Sequence, residues 1–398
     1  MEVTGNPKFC LHPLVLQHSE DLITLRRTIH QFPEILYDLP ITRKVILDYL
    51  SQIDIEVFPI VGQSGIVALL KGEQQEGPCI LLRADMDALK ITETVNTEYK
   101  SQILGNMHAC GHDGHVAMLL VAAKALSKLK SHLNGSVKFV FQPAEEGGHG
   151  SKAMITDELN PVLQNPEVSK VFGIHITNAV PLGSFIASYK YASSNSDYFK
   201  IDVIGKGGHA SAPYLTKDPI IAGSQLVMAL QTIISRNIDP QIQAVLSVTM
   251  INSGEVFNAI PDTYSINGTI RTFEPEVKTL IENRIIELCQ GIETMFSCKV
   301  DCVFTHYYNP IVNDTRCVEE AARCFKKVSP LAEHGTIAPM IGEDFFYFTD
   351  EKPGCFLMLG TGTESKHASL HSPNFDFEEQ AMLIGCSYWV ELVEDLLK

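Results

Sequence analysis

The sequence predicts an α/β protein whose mixed sheet is interrupted by an inserted α+β domain. Three observations carry that reading. The first 187 residues alternate short apolar runs with amphipathic helical stretches, the pattern of a sheet with substantial parallel content. Between Ser188 and Thr305 the order becomes strand, helix, two strands, helix, strand, which is the order of a ferredoxin-like sandwich. After that the α/β style resumes. The expected organisation is one discontinuous domain over 1–187 and 306–398, with a second over 188–305. A length of 398 residues fits two domains, because single cores stop growing at about 250–300 residues.

The elements follow in order. "HSEDLITLRRTIHQFPE" carries apolar residues at helical spacing and stops at Pro33, and "TRKVILDYLSQI" is a second amphipathic helix. "SGIVALLKG" and "CILLRADMDAL" read as strands. "HVAMLLVAAKALSKLK" is a long helix ending near Asn134–Gly135, and "SVKFVFQ" and "VFGIHI" are further strands. In the insert, "DYFKIDVIGKGGH" alternates, "DPIIAGSQLVMALQTIIS" and "EVKTLIENRIIELCQGIETMF" are helices, and "QAVLSVTMINSG" and "TYSINGTIRTF" are strands. The chain closes with the helix "CVEEAARCFKKV", the strand "GCFLMLG" and the helix "FEEQAMLIGCSYWVELVEDLLK".

The formal net charge of −16, from 31 basic and 47 acidic residues, argues against nucleic acid and anionic membranes as partners. "MEVTGNPKFCLHP" lacks the pattern of a secretory leader, and the longest apolar runs fall far short of a membrane span. Ten cysteines are scattered without a CxxC pair, which favours reduced thiols and a cytoplasmic location over a disulfide framework.

Residues able to do chemistry gather where an open α/β sheet places its sites, beyond the C-terminal ends of strands. "CILLRADMD" ends in Asp85 and Asp87, and "VKFVFQPAEEGG" ends in Glu145–Glu146. "VFGIHI" carries His175, and "FLMLGTGTESKHASLHS" runs through His367 to His371. "NMHACGHDGH" packs His108, Cys110, His112, Asp113 and His115 into eight positions. Thiolate, imidazole and carboxylate together suit a transition metal. Cys110 and His112, two apart, fit a turn before the helix, whereas His112 and His115 share a face only if both lie inside it. Adjacent carboxylates point in different directions, so one member of Glu145–Glu146 can bind metal while the other serves as base. A cysteine nucleophile, Cys110 with His112 or His115, is the competing reading, and it leaves Glu145, Glu146, His175 and His371 without a role. In the insert, "GKGGHASAP" holds His209 in a glycine-rich turn, and "NAIPD" and "GTIRT" supply Asn258 and Arg271. Arginine suits capture of a carboxylate, and histidine and asparagine suit donation to an oxyanion.

"HQFPE", "RADMDAL", "MHACGHDGH", "FQPAEEGG", "GIHI", "GKGGHASAP", "NAIPDTYSINGTIRT", "GEDFFYF" and "LHSPNFDF", in this order over nearly the whole chain, resemble the di-metal amidohydrolases and metallopeptidases that include the aminoacylases. The resemblance is to their hippurate-hydrolase branch, with its hydrolases of acyl amino acids and auxin conjugates. It implies a di-metal catalytic domain and an inserted lid domain that also mediates homodimerisation. It implies that Cys110, His112, Glu146, His175 and His371 hold two divalent ions, Zn, Mn, Ni or Co. By the same resemblance Glu145 is the general base and acid, and His209 stabilises the oxyanion, reaching a site in a partner subunit. Asn258 and Arg271 hold the substrate carboxylate, and Asp85 and Asp113 stand behind the ligands. The implied substrate is an N-acyl amino acid or short peptide. The alternatives are a di-, amino- or carboxypeptidase of the same family, a non-catalytic binder of acyl amino acids, and a metal buffer. Two departures from the pattern stand out: Lys90 in "DALKITE", where many members have proline, and the extra His149 in "EEGGHG".

Overall fold

The computed structural model describes residues 8–160, 162–334 and 338–398; residues 1–7, part of the stretch without a leader pattern, lie outside them. The strands are β1 (Glu56–Val61), β2 (Gly65–Lys71), β3 (Gln74–Asp85), β4 (Asn134–Gln142), β5 (Val168–Pro181), β6 (Phe185–Ala187) and β7 (Ser196–Ile204). They continue as β8 (Gly208–His209), β9 (Ala244–Asn252), β10 (Ala259–Ile260), β11 (Thr263–Thr272), β12 (Lys299–Tyr308), β13 (Ala332–His334) and β14 (Gly354–Gly362). The chain divides into two compact units, one of Met1–Ala192, Val312–Ile337 and Asp344–Lys398, the other of Ser193–Ile311 with Ala338–Glu343. The architecture is the expected mixed α/β arrangement.

The first unit is built on a sheet in the order β1-β2-β4-β3-β5-β14-β6-β13. Its centre, β4-β3-β5-β14, is parallel, and β1, β2 and β6 add antiparallel pairings. The crossover from β3 to β4 contains the helix His112–Ser127, which is buried on every side, as a helix apolar all round must be. It packs against β3 and against the helices Ser19–Gln31 and Gln380–Leu396. It starts three residues before the apolar run suggests and ends well before Asn134–Gly135, which opens β4. Arg83 pairs with Gly173 in the register of β3 and β5, so His175, although mid-strand in β5, lies level with Asp85 at the end of β3.

The second unit has the sheet order β12-β7-β11-β9, all antiparallel. Alternate residues of β11, from Tyr264 to Thr272, are buried. They face the helix Pro219–Asn237, through Ala222, Leu226, Leu230 and Ile233, and the helix Pro275–Phe296, through Val277, Ile281, Ile285, Cys289 and Ile292. Spacings of three and four put each set on one helical face. The short antiparallel pair β8–β10 lies at the end of the sheet where β7 finishes and β11 begins. The short strip 338–343 returns to this unit: Ser194 donates to Ile341 O at 2.9 Å, and a Cβ on Gly342 would lie 2.7 Å from that of Ser196. No helix among the described residues is long and apolar enough to cross a membrane.

Candidate metal centre

The ends of β3, β4 and β5 bring Cys110, His112, Glu145, Glu146 and His175 together, and the loop after β14 adds His371. Gly111, at φ +85°, sits between Cys110 and the helix, so His112 is the first helical residue rather than part of a preceding turn. His112 and His115 therefore do share a face, with stacked rings 5.5 Å apart. His371 is held beside Cys110 by its backbone N–H, which donates to Ala109 O at 2.8 Å.

The hydrogen bonds fix which ring nitrogen carries a proton. The Ile176 N–H donates to His115 Nε2 at 3.0 Å, so His115 Nδ1 bears the proton and donates to Asp85 Oδ1 at 2.6 Å. His112 Nδ1 donates to Asp87 O at 2.8 Å, and His175 Nδ1 donates to Ile176 O at 2.7 Å. Both rings thus keep a lone pair on Nε2. His175 Nε2 and His371 Nε2 each lie 3.3 Å from Cys110 Sγ, and His371 Nε2 lies 3.3 Å from Glu146 Oε1. His112 Nε2 is buried without a hydrogen-bond partner. A Glu145 oxygen lies within 4.8 Å of donor atoms of His112 and Glu146.

Electrostatics separates metal ligand from nucleophile. Burial, then the charges of Glu146, Glu145 and Asp85, push the Cys110 thiol well above its usual value. A nucleophilic cysteine needs the opposite, a thiolate favoured by nearby positive charge. Burial lowers His112, and burial followed by the proximity of His115 lowers His175 much further, so both rings are neutral donors. The donor set fits divalent transition-metal ions: neutral imidazoles, a thiol and carboxylates around an orphaned buried nitrogen. A cation there offsets the crowding of negative groups that holds the thiol protonated.

The surroundings are tied down by buried ion pairs. Arg83 donates to Gln142 Oε1 at 2.8 Å, Asp85 Oδ2 at 2.7 Å and Asp344 Oδ1 at 3.1 Å, joining the ends of β3 and β4. Burial alone would raise Asp85, but the charges of Arg83, His112 and His115 hold it well below the carboxylate range. Asp113 accepts from Arg26 Nε at 3.3 Å and His30 Nδ1 at 2.8 Å, which anchors the helix start to the helix Ser19–Gln31. His108 is buried behind the cluster, where burial brings it down to about 3 and keeps it neutral. His367 is exposed and bonds the Glu364 carbonyl at 3.0 Å. Arg83 and Asp344 carry no signal of their own in the sequence, because each gains its partners only when distant strands meet.

In the second unit, Ala259 pairs with His209 and the Ala210 N–H donates to Asn258 O at 3.0 Å, so His209 and Asn258 are neighbours. The Ser211 N–H donates to His209 Nδ1 at 3.1 Å, leaving the exposed ring an N–H donor at Nε2. Arg271 stands at the other end of β11, where Nη1 donates to Ile270 O at 3.1 Å and the guanidinium lies 5.6 Å from the Tyr198 ring centroid. At about 3.3 Å per residue, the eight steps from Thr263 to Arg271 span roughly 26 Å.

A parallel-centred α/β unit with this donor cluster, interrupted by an antiparallel sandwich, defines a class of amide-bond hydrolases. The model of peptidase family M20/M25/M40 matches residues 81–395, and the chain belongs to that family. It is 37% identical to an N-acetyl-L-cysteine deacetylase of Bacillus subtilis, covering 100% of this chain and 94% of that one. It is 36% identical to a hippurate hydrolase of Campylobacter jejuni, covering 98% and 100%. A crystal structure of a Bacillus subtilis dinuclear metal binding peptidase from the M20 family superposes with a TM-score of 0.82 at 30% identity, covering 96% and 99%.

Proposed function

We propose that the protein hydrolyses the amide bond of N-acyl amino acids, releasing a carboxylic acid and a free amino acid. The observation that carries this reading is the convergence of the Nε2 atoms of His112, His175 and His371 on Cys110 and Glu146, beside a second carboxylate, Glu145. We assign the five to two divalent ions, with Zn, Mn, Ni and Co all compatible with the donors. When bound, such ions supply Lewis acidity toward the amide carbonyl and acidify water. Glu145 takes the proton of the attacking water and returns it to the leaving amine. His209, through Nε2–H, donates to the developing oxyanion, and Asn258 and Arg271 hold the substrate carboxylate.

The span of β11 keeps Arg271 of one chain far from His209 and Asn258 of the same chain, farther than one acyl amino acid reaches. The reading is therefore a homodimer in which one subunit supplies Arg271 and the other supplies His209 and Asn258. Support comes from β9, an edge strand with exposed Val245, Met250 and Ile251, and from exposed Ile221 and Met228 on the helix Pro219–Asn237. The cysteines are free, which suits a cytoplasmic location.

A panel of N-acetyl and N-benzoyl amino acids and dipeptides, assayed with each of the four ions, tests the reading. Turnover on the acyl amino acids is expected; turnover on dipeptides alone would replace it with a peptidase. Glu145→Gln should keep its ions and lose at least about 100-fold in kcat, the scale of a positioned acid–base group. An unaffected rate would remove Glu145 from the mechanism.

A further inference from the structure

We propose that a cavity built around Lys138, on the face of the first unit's sheet opposite the helix His112–Ser127, binds a small monocarboxylic acid with a hydrocarbon body. The proposal is independent of the function assigned above. Three arginine and lysine side chains are buried among the described residues: Arg26, Arg83 and Lys138. Arg26 meets Asp113, Asp376 and Glu379, and Arg83 meets Asp85 and Asp344. Lys138 is 3% exposed and meets no carboxylate among the described residues. Its Nζ donates to Val162 O at 2.9 Å and to Gln164 O at 2.5 Å. Two neutral carbonyls occupy two of its three N–H groups and cancel none of its charge. Burial accordingly pulls the ammonium below the usual lysine value. A buried charge calls for a counter-charge, and the described residues supply none.

The sheet shows where the counter-charge sits. Val137, Phe139 and Phe141 of β4 pack into the main core with the helix His112–Ser127, so Lys138 between them points to the opposite face. Beside it lies a cavity of about 260 Å³. Lys138 lines it together with Phe58 and Val61 of β1, Val67 of β2 and Val162. Phe58 pairs with Val67, and Val67 with Val140, which puts this apolar wall on the same face as the ammonium. The outer wall is pinned: Asp157 accepts the Gly62 N–H at 2.7 Å and the Asn160 N–H at 3.0 Å, tying the loop to the end of β1. The volume is just under the range of about 300–1,000 Å³ that holds drug-sized ligands, so it suits one small molecule. The apolar walls take a hydrocarbon body, and the single ammonium takes a single carboxylate. Glu56 also lines the cavity, paired with Lys71 at 2.8 Å, and its charge disfavours a phosphate or a dicarboxylate. Four strand steps, roughly 13 Å, separate Lys138 from Gln142, where β4 ends at the metal centre, so the cavity is a second site.

Benzoate is the probe, and benzamide, its uncharged counterpart, is the control. Each is titrated by calorimetry into the metal-loaded full chain, wild type and Lys138→Met. Crystals of the wild type are soaked in 4-bromobenzoate at millimolar concentration. Methionine keeps most of the length and removes the charge. The expected results are a bromine anomalous signal in the cavity between Phe58 and Val67, with the carboxylate at Lys138 Nζ, and a cavity affinity for benzoate at least about tenfold weaker in Lys138→Met. Benzamide should bind both proteins equally and more weakly than benzoate binds the wild type. Benzoate held by the ions is common to both proteins, so their difference isolates the cavity. An unchanged benzoate titration in Lys138→Met would overturn the proposal. So would bromine at the metal centre alone, or benzamide bound to the wild type as tightly as benzoate. The bromine position needs no variant, so it decides even where Lys138→Met does not fold.

Discussion

At the scale of single residues, the centre is a place where negative groups are crowded until a cation relieves them. Cys110 has three carboxylates around it, and its thiol is pushed up rather than down. His371 goes the other way, raised first by its contact with Glu146, whose Oε1 lies 3.3 Å from its Nε2. Removing Glu146 therefore removes both a donor and the group that holds His371. Glu146→Ala should lose at least one of two ions by metal analysis and fall to background turnover, and full retention of metal would remove Glu146 from the ligand set. Residue types were legible in the sequence to this extent: the thiol, the imidazoles and the paired carboxylates all stand out. What could not be read was their wiring. Asp85 and Asp87 look alike in "RADMD", yet one pairs with Arg83 and His115 while the other grips two backbone amides. His108 and His115 look alike in "NMHACGHDGH", yet His115 bonds the strand that carries His175 and His108 bonds nothing among the described residues.

At the scale of elements, the junction between a glycine and a buried helix sets the geometry. Gly111 is left-handed at φ +85°, and a Cβ there would come within 2.3 Å of Ile176 Cδ1. Gly111→Ala should cost at least about 1–2 kcal/mol from the backbone alone. It should also weaken metal binding, because Cys110 and His112 flank it; a urea midpoint with unchanged slope and a metal titration check both. The other end of this packing is the pairing of Glu379 with Arg26 and Arg27, at 3.1 and 2.8 Å. Burial would raise the Glu379 carboxyl, but the bond to Arg27 and the charges of both arginines bring it below its usual value. A depressed folded-state value stabilises above the unfolded value, near pH 4.3, and is lost as pH falls through the folded one. Glu379→Gln should therefore destabilise at neutral pH, with the difference shrinking below about pH 4; a constant difference across pH 3–7 would contradict the linkage. The strands and long helices were legible from periodicity, since one-sided burial writes it into the sequence. Helix ends were not: the start at His112 is set by the backbone of Gly111, and the end at Ser127 by the turn that starts at Lys128.

At the scale of the whole molecule, the arrangement of β11 makes a prediction about subunits. If Arg271 acts in one site and His209 in its partner's, then Arg271→Ala and His209→Ala should each be inactive alone. Mixed under conditions that exchange subunits, they should regain activity, because half the sites of a heterodimer carry both intact residues. No recovery, with exchange verified by mass, would place both residues in a single-chain site. The mixed α/β class was legible from the change in element order. The return of 338–343 to the second unit was not, since six residues without periodicity carry no signal of where they belong. That strip has a consequence for ancestry. A unit inserted between two neighbouring positions can be copied, lost or traded between genes as one uninterrupted stretch. Here the polypeptide passes between units at 192/193, 311/312, 337/338 and 343/344, and the Ser194–Ile341 bond and the close fit of Gly342 against Ser196 bind the strip into the sandwich. A recombination that moved 193–311 alone would leave that patch behind. A complete copy of the sandwich therefore draws on two separate stretches of the gene, 193–311 and 338–343.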